Sequence, residues 1–157
     1  MEHKLIYKIK DNVVLNKIPS SSELLGKADI VSEGNDITVV SYSHMVNVVK
    51  DIISSNELSE ISIELIDLQT LSPLDMETIT TSVFKTKKLL VCQEAPANSS
   101  VGSTVISNVV QSDVFSSLSS APKLVSGLHS PMPSAKHLET TVIPQKEDIM
   151  QSIKDMV

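Results

Sequence analysis

Three times between Ile37 and Gln111 a short β-branched run gives way to a segment with the period of a helix. "ITVVSYS" leads into "HMVNVVKDIISSN", "ISIELIDL" leads through a loop to "DMETITTSVFKTKK", and "LLVCQ" leads to Val101–Gln111. Runs that are apolar throughout mark strands buried on both faces. Strands of that kind, alternating with helices, predict an α/β fold: a parallel or mostly parallel sheet with helices on both faces. In the first helical segment Met45, Val49, Ile52 and Ile53 share a face, widened by Val46 and Val48. In the second, Asp75 is placed to cap the N-terminus, Glu77 sits in the first turn and lysines gather at the end, as the helix dipole favours. "APKLVSG" predicts a fourth short strand. "QKEDIMQSIKDMV", just after Pro144, predicts an amphipathic helix bearing Ile149, Ile153 and Met156. "LHSPMPSAKHLETTVIP" reads as irregular because of its Pro and Ser content. "EHKLIYKIK" reads as a short extended segment, residues 1–27 as a connector and residues 28–157 as the domain.

Composition narrows the function classes. The 157 residues suit one domain, a length at which roughly 70% of the unfolded surface is buried. Aromatics make up 3% of the chain, so aliphatic side chains must build the core. A net charge of −6 argues against nucleic acid or an anionic membrane as partner. All 13 basic residues are lysine, so phosphate recognition would fall to backbone amides rather than a guanidinium fork. A single cysteine cannot form an intrachain disulfide and fits a reducing compartment. No apolar run approaches the ~18 residues of a membrane span. The first ten residues lack the apolar core of a secretory signal, and their glutamate argues against an intact transit peptide.

No constellation of chemistry is complete in the sequence. Cys92 and Glu94 lie two apart, so on a strand they point to one face. A nucleophilic cysteine needs a base, and the nearest histidines, His44, His129 and His137, are distant in sequence; a buried, inert thiol is the simpler reading. The loop "ANSSVGS" could cradle an anion on its backbone, yet it lacks the Gly-Lys-Ser/Thr of a P-loop and the glycines of a dinucleotide fingerprint. His129 and His137, with Glu139 behind, do not have a zinc spacing. His44 follows a strand and stands where a sheet opens, which suggests a polar site or simply a helix start. The carboxylates of "DMETI" and "QKEDI" read as helix-end charges.

The ordered string "GKADIVSEGNDITVVSYSHMV", "IDLQTLSPLDMETI", "VCQEAPANSSVGS", "SGLHSPMPSAKHLE", "IPQKEDI" resembles the C-terminal domain of the beta subunit of thiamine-dependent 2-oxo acid dehydrogenase decarboxylases. The resemblance covers almost the whole chain, and "EHKLIY" resembles the end of that subunit's preceding catalytic domain. It implies a three-layer α/β sandwich around a mixed, mostly parallel sheet, like the transketolase C-terminal domain. It implies that thiamine diphosphate and Mg²⁺ are held by the parent enzyme's other parts, since no Gly-Asp-Gly segment stands here, and that this chain is a fragment inactive by itself.

The same resemblance implies work in assembly. The partners would be the alpha subunit, a second beta subunit, and the basic subunit-binding domain of the acyltransferase core. The implied contact residues are Glu94, the Val101–Gly102 corner, the Pro131–Met132–Pro133 turn, and Met156 with Val157. The implied compartment is the mitochondrial matrix, plastid stroma or bacterial cytoplasm. Two departures stand out. His44 replaces the family's usual arginine, and Ser119 and Ser120 replace an acid used in docking, for which Asp113 or the C-terminal carboxylate could substitute. "QEAP" leans toward branched-chain and acetoin-type relatives, whereas "PMPSAKHLE" and "PQKEDI" lean toward pyruvate. Two rival readings are the same domain from deoxyxylulose-phosphate synthase or transketolase, and a stand-alone Cys/Glu enzyme.

Overall fold

The structure is a computed structural model, and it describes residues 3–10 and 25–157. Most of the connector expected over residues 1–27 lies outside them. The runs predicted as strands form β2 (Ile37–Ser41), β3 (Ile63–Asp67), β4 (Leu89–Pro96) and β5 (Lys123–Gly127), and Asp29–Ser32 adds an unforeseen β1. The sheet order is β1-β3-β2-β4-β5. β2, β3, β4 and β5 run parallel, while β1 pairs antiparallel with β3. Every residue of β2 is buried, as expected for a central strand covered on both faces.

The helices are α1 (His44–Ser54), α2 (Met76–Thr86), α3 (Val101–Val110), α4 (Lys136–Val142) and α5 (Lys146–Met156). The sheet separates two aliphatic clusters. On one face α1 supplies Met45, Val46, Val49 and Ile52, and α5 supplies Ile149, Met150, Ile153 and Met156. On the other, Ile79 and Val83 of α2 and Val105 and Val109 of α3 cover Val40, Ile66, Leu89 and Val91. This is the three-layer sandwich around a mixed, mostly parallel sheet that the resemblance implied.

Two local expectations give way. "EHKLIYKIK" is not extended: Lys4–Lys8 forms a 3₁₀ turn, with the His3 side chain accepting from the Leu5 N–H. The Pro- and Ser-rich segment after β5 is not wholly irregular, because it contains α4. None of the residues of α4 is buried, so it left no apolar stripe to read.

Asp75 caps α2 as expected: its Oδ1 accepts from the Thr78 N–H at 3.2 Å, and its Oδ2 accepts from the Thr78 hydroxyl at 2.8 Å and the Ala28 N–H at 3.0 Å. Burial works against the charged carboxyl, but these donors and nearby Lys27 hold it below the usual carboxylate range. A depressed folded-state pKa gives stability that is present above the unfolded value and lost as pH falls through the folded one. Asp75→Ala is therefore expected to cost about 1–2 kcal/mol at neutral pH. The difference from wild type should shrink below about pH 4 in urea titrations, where the unfolded carboxyl is already protonated.

Candidate functional site at the carboxyl ends of the strands

The chain runs from β2 out to β3 and then back across to β4, so the topological switch point lies between β2 and β4. The ladder between these strands ends at Val40↔Val91. Beyond it the Ser41 hydroxyl donates to the Cys92 carbonyl at 3.0 Å, and the strands part. Crevices of this kind, at the carboxyl ends of parallel strands, are where open α/β sheets bind ligands.

The turn from β2 into α1 passes through Ser43, whose φ of 59° and ψ of −134° place a non-glycine residue where side chains cost of order 1–3 kcal/mol. This sharp turn puts His44 at the mouth of the crevice. Across from it stands Glu94, at the end of β4. The crevice opens into a cavity of about 800 Å³ between α1, α4 and the start of α5, lined among others by His3, His44, Glu94, Asp51, Lys136 and Glu139. The His3 ring stacks on His44 with centroids 4.9 Å apart and planes 19° apart. Its Nε2 lies 3.2 Å from Glu94 Oε1. Burial and the Glu94 charge both push the Tyr42 phenol up.

Cys92 shares the α1 face with Glu94, as the two-residue spacing predicts, but it is fully enclosed in the aliphatic cluster. Burial alone pushes its thiol far up. A thiol held protonated in an apolar core is not a nucleophile. The loop after β4 is equally occupied with its own structure. Gln93 is buried, donates to the Ala95 and Pro96 carbonyls, and accepts from the Gly102 N–H at 2.8 Å. Ser100 accepts from the Ser103 N–H, and its carbonyl takes the Thr104 N–H. The Gly102, Ser103 and Thr104 amides at the start of α3 are therefore engaged within the chain. His129 and His137 are both exposed, and no group of three His, Cys, Asp or Glu is gathered for a metal ion among the described residues.

The residues expected at interfaces fall into two groups. Pro131, Met132 and Val157 are exposed, and Glu94, Val101 and Pro133 are half-buried. Gly102 and Met156 are buried within the chain. A Cβ on Gly102 would stand 2.7 Å from both Gln93 Oε1 and Leu124 Cδ1, so this glycine is needed for a close internal approach.

Comparison with known proteins decides the family. The profile of the family described as "Transketolase, C-terminal domain" matches residues 26–149. The chain belongs to the transketolase C-terminal domain family. Among curated members of larger proteins, this transketolase C-terminal domain is 36% identical over 129 residues to the "Pyruvate dehydrogenase E1 component subunit beta" of Rickettsia conorii, covering 82% of this chain and 39% of that protein. It is 35% identical over 155 residues to the mitochondrial "Pyruvate dehydrogenase E1 component subunit beta-1" of Oryza sativa subsp. japonica, covering 98% of this chain and 41% of that one. The chain thus spans about two fifths of these relatives. A split-gene transketolase, solved as an inactive beta4 tetramer, superposes with a TM-score of 0.68 at 19% identity, over 83% of this chain and 42% of its own. The 2-oxoglutarate:ferredoxin oxidoreductase of Magnetococcus marinus superposes with a TM-score of 0.55 at 11% identity, over 87% and 21%. These two similarities concern the fold.

His3 carried no signal in the sequence. It lies in "EHKLIY", outside the strand-helix pattern, and nothing in that segment marks it as a neighbour of His44 and Glu94.

Proposed function

We propose that the chain is the C-terminal assembly domain of a pyruvate dehydrogenase decarboxylase beta subunit. The observation that carries the reading is identity of 35% sustained over 98% of the chain with a pyruvate dehydrogenase beta subunit. On this reading residues 28–157 are the domain and residues 1–27 connect it to a preceding catalytic domain. The parent reaction is oxidative decarboxylation of pyruvate with acetyl transfer to lipoyl groups.

Thiamine diphosphate and Mg²⁺ belong to the parent's other domains. Among the described residues no three His, Cys, Asp or Glu side chains are gathered, and in the loop after β4 the Gly102 and Ser103 amides are taken by Gln93 and Ser100. No catalytic step is assigned to this chain. The relatives include a rickettsial and a plant mitochondrial protein, which supports a mitochondrial matrix or a bacterial cytoplasm. No helix among the described residues is long and apolar enough to cross a membrane.

The work of the domain is contact with the alpha subunit, a second beta subunit and the basic subunit-binding domain of the acyltransferase core. The net charge of −6 suits that basic partner. Exposed Pro131, Met132 and Val157, with half-buried Glu94, Val101 and Pro133, offer the surface. Buried Gly102 and Met156 shape it from behind. Calorimetric titration of the chain with a purified subunit-binding domain tests this. Saturable heat that weakens as salt rises is expected. Absence of heat at both low and physiological salt would remove the docking role.

A further inference from the structure

His3 lies in the switch-point crevice much as a ligand would. The Leu5 N–H donates to its Nδ1 at 3.2 Å, which assigns the ring proton to Nε2, and Nε2 lies 3.2 Å from Glu94 Oε1. A stacking platform on one ring face and a carboxylate oxygen beside a ring nitrogen are two contacts by which proteins hold planar nitrogen heterocycles. The platform is His44 and the acceptor is Glu94.

The space around His3 is much larger than an imidazole needs. At about 800 Å³ the cavity falls within the range of small-molecule sites, which is roughly 300–1,000 Å³. His44 Nδ1 is buried with no hydrogen-bond partner, so the site presents a polar atom that His3 leaves unused. No residue of the 3₁₀ turn Lys4–Lys8 is buried, so the segment can leave the crevice without opening the core.

We propose that the crevice is a recognition site for a planar heterocycle bearing a ring N–H, with His44 as platform and Glu94 as acceptor, and that His3 occupies it. A larger heterocycle would displace His3, pair with His44 Nδ1 and extend its substituents toward Lys136 and Glu139. The proposal does not depend on which enzyme the domain serves.

The test uses the full chain carrying His3→Gly, with imidazole as the probe at pH 8 and NMR of the His44 ring and the Glu94 amide as readout. The variant is expected to bind imidazole saturably, with a dissociation constant of about 1–20 mM for so small a ligand. Wild type should bind at least tenfold more weakly, because His3 competes. The probe 1-methylimidazole, which has no ring N–H, should bind His3→Gly at least tenfold more weakly than imidazole, and Glu94→Met in the same background, which leaves no acceptor, should erase that preference. Circular dichroism checks that the variants keep their fold. Binding by wild type as tight as by His3→Gly, equal binding of the two probes, or no saturable shift at His44 in a folded His3→Gly chain would each overturn the proposal.

Discussion

Alanine at Gly34 is expected to destabilise the chain by about 3 kcal/mol or more, the upper range for a forced steric change in a packed site. Gly34 sits in the turn "EGND" before β2, pressed against the start of β3. A Cβ there would overlap the Ile63 carbonyl carbon and the Glu64 amide nitrogen. Both are backbone atoms, and no rotamer change can clear them. The turn is also tied in place by hydrogen bonds: the Asn35 and Asp36 amides donate to the Ser62 carbonyl, and the Ser62 N–H donates to Asp36 Oδ2 at 2.7 Å. To admit a methyl group, the turn must release these bonds or β3 must shift within a fully formed parallel ladder. The urea midpoint should fall sharply with little change in slope. A variant as stable as wild type would mean that the turn is not seated on β3.

The second large effect is expected at Lys85. Glu64, on β3, has a side chain with no solvent exposure, and its Oε2 accepts from Lys85 Nζ of α2 and from the Gly34 N–H. Glu64 Oε1 has no partner. Removing the cation leaves a buried carboxylate held only by one long amide bond. A wholly buried pair broken in this way costs about 3–5 kcal/mol. The Lys85 side chain is 44% exposed, so water reaches one side of the pair, and about 2–3 kcal/mol is expected for Lys85→Met. The effect should be asymmetric. Glu64→Gln keeps an acceptor for Gly34 and frees a lysine that can reach water, so it is expected to cost only about 1 kcal/mol. Combined with Lys85→Met, Glu64→Gln should recover most of the larger loss, since no charge is then left unpaired. Denaturation of the two single variants and the double variant completes the cycle. Equal costs for the two single changes would count against a desolvated carboxylate as the cause.

The parts of the fold that sequence reveals are those whose burial leaves a repeating mark. β2, β3 and β4 are apolar along their length because helices cover both faces. α1 and α5 show their stripes because one side of each meets the sheet. β1 shows no such mark: it is a four-residue edge strand with two exposed residues, held by pairing with β3 rather than by its own side chains. α4 and the 3₁₀ turn at Lys4–Lys8 bury nothing, so hydrophobic period cannot find them, and the Ile and Tyr of "KLIYK" point toward a strand instead. The candidate site was legible only in pieces. His44 and Glu94 each stood out as a polar residue beside an apolar run, but 49 intervening residues and a crossover decide that they face each other. His3 joins them from 41 residues before His44, and no local pattern marks that meeting.

The division of the core into two clusters also bears on the order in which the chain becomes complete during synthesis, which runs from the amino end. The α2–α3 face draws on residues up to Leu124. The α1–α5 face waits for Ile149, Met150, Ile153 and Met156. While the ribosome is still adding those residues, Cys92, Leu65 and the inner side of α1 lack the cover that α5 supplies. That face is therefore the one whose cover is completed later in chain order.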